Sequence, residues 1–100
     1  MLVRVWRYEV VPGREPEFEC AYGSAGDWAR LFARSKGFRD TRLYRDVEAF
    51  AAYLTVDLFD GQETWARFLE AHRGAYDDLD RRCSALMVSQ SELTAGGVVL

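Results

Sequence analysis

The stretch YLTVDLFDGQETWARFLEAHRGAYDDL, from Tyr53 to Leu79, changes its apolar rhythm at Asp60. Before Asp60, alternation with a period of two predicts a β-strand over residues 51–59. After Asp60, apolar residues recur every three or four positions, which predicts an amphipathic helix. Asp60, followed three residues later by Glu63, is typical of a helix N-cap with a capping box. The apolar stripe of this helix consists of Trp65, Phe68, Leu69, His72, Tyr76, Leu79 and Cys83.

Three further strands are predicted by the same alternation on either side of this stretch. Residues 2–11 alternate as far as a Pro-Gly turn, residues 38–47 alternate next, and residues 84–93 alternate after the long helix. A short polar connection joins residues 38–47 to residues 51–59, which is typical of a hairpin.

The first helix is predicted to be broken near its middle. A helical stripe begins at Glu15, but Gly23 and Gly26 interrupt it, and each glycine costs about 1 kcal/mol relative to alanine inside a helix. Ser24, with Asp27 three residues later, resembles a second capping box and predicts a new helical piece that ends before the second strand.

The element order is therefore β-α-β-β-α-β, which predicts a ferredoxin-like α+β fold with one antiparallel four-stranded sheet and helices on one face. The chain has 100 residues, too few for two hydrophobic cores. We expect a single domain over residues 1–96 and a C-terminal tail over residues 97–100. The sequence leaves open whether the apolar end of this tail crosses to a partner subunit or is disordered.

Strand parity assigns each strand residue to one face of the sheet. The face predicted beneath the helices contains Trp6, Tyr8, Val10, Leu43, Leu54, Val56, Leu58, Leu86 and Val88. The face predicted to point away contains Val5, Arg7, Glu9, Arg42, Tyr44, Tyr53, Thr55, Asp57, Phe59, Met87 and Ser89. Such an aromatic face is unusual on a monomer, so we expect a homodimer packed sheet to sheet, with its charged residues paired across strands or subunits.

Composition and charge argue against several classes of function. A net charge of −3 and a pI near 5.1 argue against a nucleic-acid partner. Since no segment resembles a signal peptide or is long enough to cross a membrane, the cytoplasm is the expected location, without a membrane partner. The chain has one His, Cys20 and Cys83 lack metal-ligand spacing, and no phosphate-binding loop follows the first strand. We therefore predict neither a metal nor a cofactor.

Three short runs carry a family resemblance that spans residues 3–96. They are the run from Tyr22 to Phe32, the Gly-Phe entry to the second strand at residues 37–38, and the run from Tyr53 to Asp57 that leads into residues 63–68. Together with the element order, these runs resemble the antibiotic biosynthesis monooxygenase family of the dimeric α+β barrel superfamily. The resemblance implies a ferredoxin-like fold and a homodimer.

The functional residues of this family are only partly matched by the chain. Its haem-degrading branch uses an Asn on the first strand and a Trp and a His on the last helix, whereas Trp6 and Phe68 occupy the first two positions and His72 comes too early. Its cofactor-free branch places Trp, Asn, Tyr and Arg groups around an aromatic substrate. The chain has no Asn, and Trp65 and Tyr76 are the proposed counterparts. The resemblance therefore favours cofactor-independent oxidation of a small phenol or quinol over haem degradation.

His72 is the main candidate for a catalytic base, because imidazole titrates near neutral pH and can take a phenolic proton. The hypothesis is that His72 deprotonates a substrate stacked on Trp65, with Tyr76 as a third catalytic residue, and that the resulting anion reduces O₂. A single His on an apolar helix stripe is more often a hydrogen-bonded core residue, and that interpretation stands beside the catalytic one. Strand parity turns Tyr8 toward His72 as a partner and turns Asp57 away.

An aromatic set is expected to bind the substrate in the gap between the sheet and the helices. It consists of Trp6, Tyr8, Trp28, Phe32 and Phe68. The same residues also suit an ordinary aromatic core. Two classes of function thus remain open: an oxidising enzyme that acts on a small aromatic metabolite, and a non-catalytic ligand-binding or dimerisation module. A cavity that fits a ring system, with His72 exposed to it, would favour the enzyme.

Overall fold

The computed structural model describes residues 1–97, which form four β-strands and three α-helices. The strands are β1 (Leu2–Val10), β2 (Phe38–Arg45), β3 (Ala52–Phe59) and β4 (Met87–Gly97), and the helices are α1 (Glu15–Tyr22), α2 (Asp27–Phe32) and α3 (Gln62–Cys83). The strands form one antiparallel sheet in the order β2-β3-β1-β4. The predicted β-α-β-β-α-β order and ferredoxin-like α+β fold are confirmed, and so is the break between α1 and α2. β4 extends into the predicted tail at residue 97, and residues 98–100 lie outside the described residues.

The two predicted capping boxes are wrong. α2 begins after Gly26 and α3 after Gly61, and neither start has a side-chain cap. Asp27 and Asp60 form ion pairs with nearby arginines instead. The backbone turns into each helix at the glycine, so Gly26 and Gly61 occupy the N-cap positions.

The face assignment of β3 is the main correction to the sequence analysis. β3 pairs with β1 so that Thr55 lies beside Trp6 and Tyr53 beside Tyr8, and directly paired residues share a face. The residues of β3 buried beneath the helices are Tyr53, Thr55, Asp57 and Phe59. The residues on the outer face are Leu54, Val56 and Leu58, the reverse of the prediction.

The polar side chains of β3 tolerate burial because each has a hydrogen-bond partner. The Tyr53 hydroxyl donates to Glu19 Oε2 at 2.5 Å and accepts from Arg45 Nη2 at 2.8 Å. The Thr55 hydroxyl bonds the Tyr8 hydroxyl, and Asp57 accepts from a threonine on β2. Satisfied polar groups cost far less to bury than unpaired ones, which lets the aromatic rings of β3 enter the core.

Two side chains at the start of β4 also exchange faces relative to the prediction. Val88, expected beneath the helices, is 65% exposed, whereas Met87, expected outside, packs against the core. A 3-10 turn over Ser84–Leu86 leads into β4, and its pairing with β1 shifts register beside Val10. A shift of one residue reverses which face each side chain occupies.

The outer face carries charge pairs that lie along single strands. Arg7 pairs with Glu9 at 3.1 Å, and Arg42 pairs with Asp40 at 2.8 Å. Within residues 1–97, none of the four residues expected to pair, Arg7, Glu9, Arg42 and Asp57, forms an ion pair across strands, and Asp57 is absent from this face. The alternative of pairs between subunits stays a prediction. Residues two apart on a strand point to the same side, which lets each pair form locally.

Candidate active site

A cavity of about 110 Å³ lies between the sheet and the helices and is partly open to solvent. Its volume is similar to the roughly 150 Å³ of a protein cavity that holds one benzene ring. Every element except the 3-10 turn contributes to its wall. The lining residues are Trp6, Tyr8, Tyr22, Trp28, Phe32, Thr41, Thr55, Asp57, Trp65, Tyr76, Asp80 and Gln90.

Most residues expected at the site do line this cavity. They are Trp6, Tyr8, Trp28, Phe32, Trp65 and Tyr76. Phe68 does not: it is 2% exposed and packs among the core rings of Phe32, Phe59 and Trp65. The bulky aromatic residues thus serve as both core and cavity wall.

The structure does not bring His72 to the cavity wall. The residue is half-buried, with its ring 5.4 Å from that of Phe68. It also interrupts the helical backbone of α3, with φ −127° and ψ 23°. Tyr76 and Asp80, which follow this interruption, do reach the cavity. The base expected on α3 is therefore not positioned to meet a ligand there.

Asp57 is the acidic side chain buried at the floor of the cavity. β3 holds it between Arg4 on β1 and Thr41 on β2, and the Thr41 hydroxyl donates to its Oδ1 atom. Burial raises the pKa of Asp57 to about 6, and the Thr41 hydrogen bond and the positive charge of Arg4 offset only part of that effect. Asp57 is thus a stronger base than an ordinary exposed carboxylate.

The tyrosines of the cavity are neutral hydroxyl groups at neutral pH. Burial raises the pKa of Tyr8, Tyr22 and Tyr76 above the ordinary value of a phenol. The Tyr8 hydroxyl lies 3.1 Å from Thr55 Oγ1. These groups can donate or accept hydrogen bonds, but they do not provide an anionic base.

Trp65 is held in place by an arginine on β1, outside the cavity lining. The Arg4 guanidinium lies 4.1 Å from the centroid of the Trp65 ring, within cation–π range, and also pairs with Glu92 at 2.6 Å. Phe32 and Tyr76 contact the Trp65 ring edge to face. The indole plane of Trp65 is therefore fixed before any ligand binds.

The polar part of the site was not predicted from the sequence. The missed lining residues are Tyr22, Thr41, Thr55, Asp57, Asp80 and Gln90. Arg4 shares the parity of Trp6 and Tyr8, which puts a charged residue on the helix-facing side of β1. A buried arginine needs an acidic neighbour, which favours inward acidic residues on the strands beside it: Glu92 on β4 pairs with Arg4, and Asp57 on β3 lies opposite Arg4.

Within residues 1–97, no group of three or more His, Cys, Asp and Glu side chains is arranged to hold a metal ion. None of the helices described by the structure is both long enough and apolar enough to span a lipid bilayer.

Comparison with known proteins found similar solved structures but no similar sequence family. No family model matches the chain, and no curated protein matches it. SnoaB, a cofactor-independent oxygenase from Streptomyces nogalater solved as a point mutant, superposes with a TM-score of 0.77 at 21% identity, covering 97% of this chain and 91% of that one. A Bordetella bronchiseptica protein provisionally assigned as an antibiotic biosynthesis monooxygenase gives 0.73 at 19% identity, with 99% and 97% covered.

A third similar structure shows how widely the fold is used. A NIPSNAP domain protein from Burkholderia xenovorans gives a TM-score of 0.73 at 15% identity, with 99% of this chain and 95% of that chain covered. The TM-scores establish a shared fold, and at sequence identities this low the similarity shows the fold alone. The chain therefore has the fold of the antibiotic biosynthesis monooxygenases, as the resemblance in its sequence predicts.

Proposed function

We propose that this protein binds a small phenol in the cavity and oxidises it with O₂ without a bound cofactor, using Asp57 as the base. The observation that carries the proposal is a carboxylate of near-neutral pKa buried in the floor of an otherwise largely aromatic cavity. Catalytic carboxylates are tuned in this way by burial. The shared fold with a cofactor-independent oxygenase supports the same class of reaction.

The reaction begins with transfer of the phenolic proton to Asp57. The resulting phenolate is electron-rich and transfers electron density to O₂, so that a C–O bond forms at a ring carbon that carries hydrogen. Asp57 returns its proton to the distal peroxide oxygen. Loss of the ring hydrogen as a proton and cleavage of the O–O bond then give a quinone and one water. One phenol and one O₂ are consumed, and the substrate supplies all the electrons.

The aromatic wall orients the substrate for this reaction. Trp65, fixed by Arg4 over its ring and by Phe68 stacked against it, forms a rigid apolar part of the wall against which an aromatic ring can pack. Tyr76 and Trp28 enclose that surface, with their rings 5.1 Å apart. Holding the ring in one orientation against Asp57 converts an encounter in solution into a reaction within a complex.

Thymol is a suitable probe because it has one ring and a free position opposite its hydroxyl group. We expect wild-type protein to convert thymol to thymoquinone with consumption of one O₂ per turnover, and isotopically labelled O₂ to place one labelled atom in the product. Asp57→Asn removes the base and should lower kcat/KM by about 10²-fold or more. An unchanged rate in this variant would contradict the role of Asp57.

His72→Ala is the matched control, because it removes the titratable group that sequence alone favoured. We expect its kcat/KM to stay within about twofold of wild type, since the side chain does not line the cavity. Loss of turnover in His72→Ala with activity retained in Asp57→Asn would restore the histidine mechanism. Thymol binding without O₂ consumption would identify a ligand-binding module instead.

A further inference from the structure

Arg4 and Asp57 lie side by side in the sheet without forming an ion pair. They are direct partners in the pairing of β1 with β3, so their side chains share the face beneath the helices. Within residues 1–97, the Arg4 guanidinium pairs with Glu92 at 2.6 Å and makes no ion pair with Asp57, whose carboxylate accepts from the Thr41 hydroxyl. Opposite charges on directly paired residues ordinarily attract one another, so this arrangement calls for an explanation.

Two contacts hold the Arg4 guanidinium away from Asp57. Glu92 is paired with Trp6, which places it on the same face as Arg4 but on β4, whereas Asp57 lies on β3 at the other side of β1. Trp65 packs over the guanidinium, whose carbon lies 4.1 Å from the ring centroid. The Arg4 side chain is 15% exposed, so its charge depends on an acidic partner more than on water.

We infer that Glu92 is a positioning residue, which draws Arg4 toward β4 and so keeps the carboxylate of Asp57 free to accept a proton from a ligand. The inference deepens the proposed function by naming what keeps its base available, and it rests on that function only where Asp57 acts as the base. A guanidinium bound to Asp57 would stabilise the carboxylate and make it a weaker base. Because Arg4 is the cation directly opposite Asp57, the charge on Glu92 decides which carboxylate Arg4 pairs with.

The other groups around Asp57 do not replace Arg4 as a source of positive charge. Within the part of the chain that the structure describes, the cavity lining contains no positively charged side chain. Tyr8 on β1 and Tyr76 on α3 are neutral, because burial raises the pKa of each phenol. Asp80 on α3 lines the same cavity and is unchanged in every variant of the test. The basicity of Asp57 therefore depends on where Arg4 points.

Glu92→Gln tests the inference, since it removes the charge and keeps the shape of the side chain. NMR titration of the Asp57 carboxyl carbon, assigned with Asp57→Asn, should show its pKa falling from about 6 toward the ordinary value of 3.8, because the freed Arg4 turns to Asp57. The weaker base should also lower kcat/KM for thymol at about pH 7 by about tenfold and move the acidic limb of its pH profile to lower pH. Glu9→Gln, on the outer face of the same sheet, is the matched control and should change neither the pKa nor the profile.

Arg4→Met separates this effect from direct repulsion between Glu92 and Asp57. The charge of Glu92 also raises the pKa of Asp57 by itself, but it is the weakest of the influences on that carboxyl. In the Arg4→Met background, Glu92→Gln should therefore lower the pKa by less than about half as much as it does in the wild-type background. An equal fall in the two backgrounds would overturn the inference, and so would an unchanged pKa in Glu92→Gln alone.

The NMR measurement does not depend on turnover, so the inference and the proposed function can fail separately. If Arg4→Met does not fold, a crystal structure of Glu92→Gln decides, because the inference requires Arg4 to contact Asp57 there. A pKa that responds as expected, with no oxidation of thymol by wild type, would reject the proposed function alone. Oxidation that requires Asp57, with a pKa and a rate that Glu92→Gln leaves unchanged, would reject the inference alone.

Discussion

At the scale of single residues, the burial of Asp57, the proposed base, has a cost in stability. In the unfolded chain its pKa is near 3.8, and in the folded protein burial raises the pKa to about 6. As pH rises through this interval, the unfolded chain loses its proton first, so the free energy of unfolding falls, and the full loss is present above pH 6. The difference between the two pKa values corresponds to about 3 kcal/mol at most.

Replacement of Asp57 by Asn should therefore stabilise the protein while abolishing oxidation. The amide is neutral and retains an oxygen that accepts from Thr41, so the free energy of unfolding at about pH 7 should rise by about 1–3 kcal/mol. Urea unfolding at about pH 7 and about pH 4 checks this, because the gain should shrink toward zero at the lower pH.

Asp77→Asn provides the control for that measurement. Asp77 is exposed on α3 and pairs weakly with Arg73, so its replacement should change stability by less than about 0.5 kcal/mol at either pH. A similar gain in both variants would mean that the effect comes from net charge rather than from the buried carboxylate.

At the scale of elements, the break between α1 and α2 shapes the cavity. Gly26 lies where α2 crosses close to the end of α1, and a Cβ added there would sit 2.4 Å from the carbonyl oxygen of Cys20. Because α2 starts directly after this glycine, Trp28 enters the cavity from the second position of the helix. A continuous helix would carry Trp28 in a different direction, since each residue turns the helix by about 100°.

Alanine substitution should have opposite effects on stability at Gly26, where the added Cβ meets backbone atoms, and at Gly74, where it meets none. Gly26→Ala should destabilise the protein by about 1–3 kcal/mol, because the methyl group meets backbone atoms that cannot move aside. Gly74→Ala, inside α3 with open space around the added methyl, should stabilise it by about 0.5–1 kcal/mol. Thermal or urea unfolding measures both, and equal effects would contradict the close approach of α1 and α2.

For the whole molecule, the outer face of the sheet remains the strongest argument for a homodimer. Because β3 faces the opposite way from the prediction, it contributes Leu54, Val56 and Leu58 to this outer face, and its aromatic residues Tyr53 and Phe59 lie beneath the helices. Its apolar residues are Val3, Val5, Tyr44, Leu54, Val56, Leu58, Val88 and Leu93. Its charges are already paired along β1 and β2, which lowers the desolvation cost of covering it with a second copy.

Sedimentation velocity at micromolar concentration should therefore show a dimer. Val56→Lys places a charge at the centre of the outer face and should yield a folded monomer. Val47→Lys is the control, because Val47 is 98% exposed in the β2–β3 connection and its replacement should leave the dimer intact. A wild-type monomer would contradict the homodimer.

The sequence by itself determined the order of elements, the broken first helix and most of the aromatic cavity wall. These features depend on local periodicity and on glycine positions, which act within a few residues of the chain. For the same reason, local periodicity is enough to predict which aromatic residues face the gap between the sheet and the helices: Trp6, Tyr8, Trp28, Trp65 and Tyr76.

The tertiary structure alone decided which face of β3 enters the core, and with it the identity of the proposed base. Both faces of β3 carry large apolar side chains: one face has Leu54, Val56 and Leu58, and the other has Tyr53 and Phe59. Hydropathy alone therefore does not determine which face is buried. The choice depends on long-range partners: the hydroxyl of Thr41, the charge of Arg4 and the Glu19–Arg45 pair satisfy the polar groups of only one parity. Such partners lie far apart in sequence and meet only when strand register is set, because a one-residue shift moves every side chain to the opposite face.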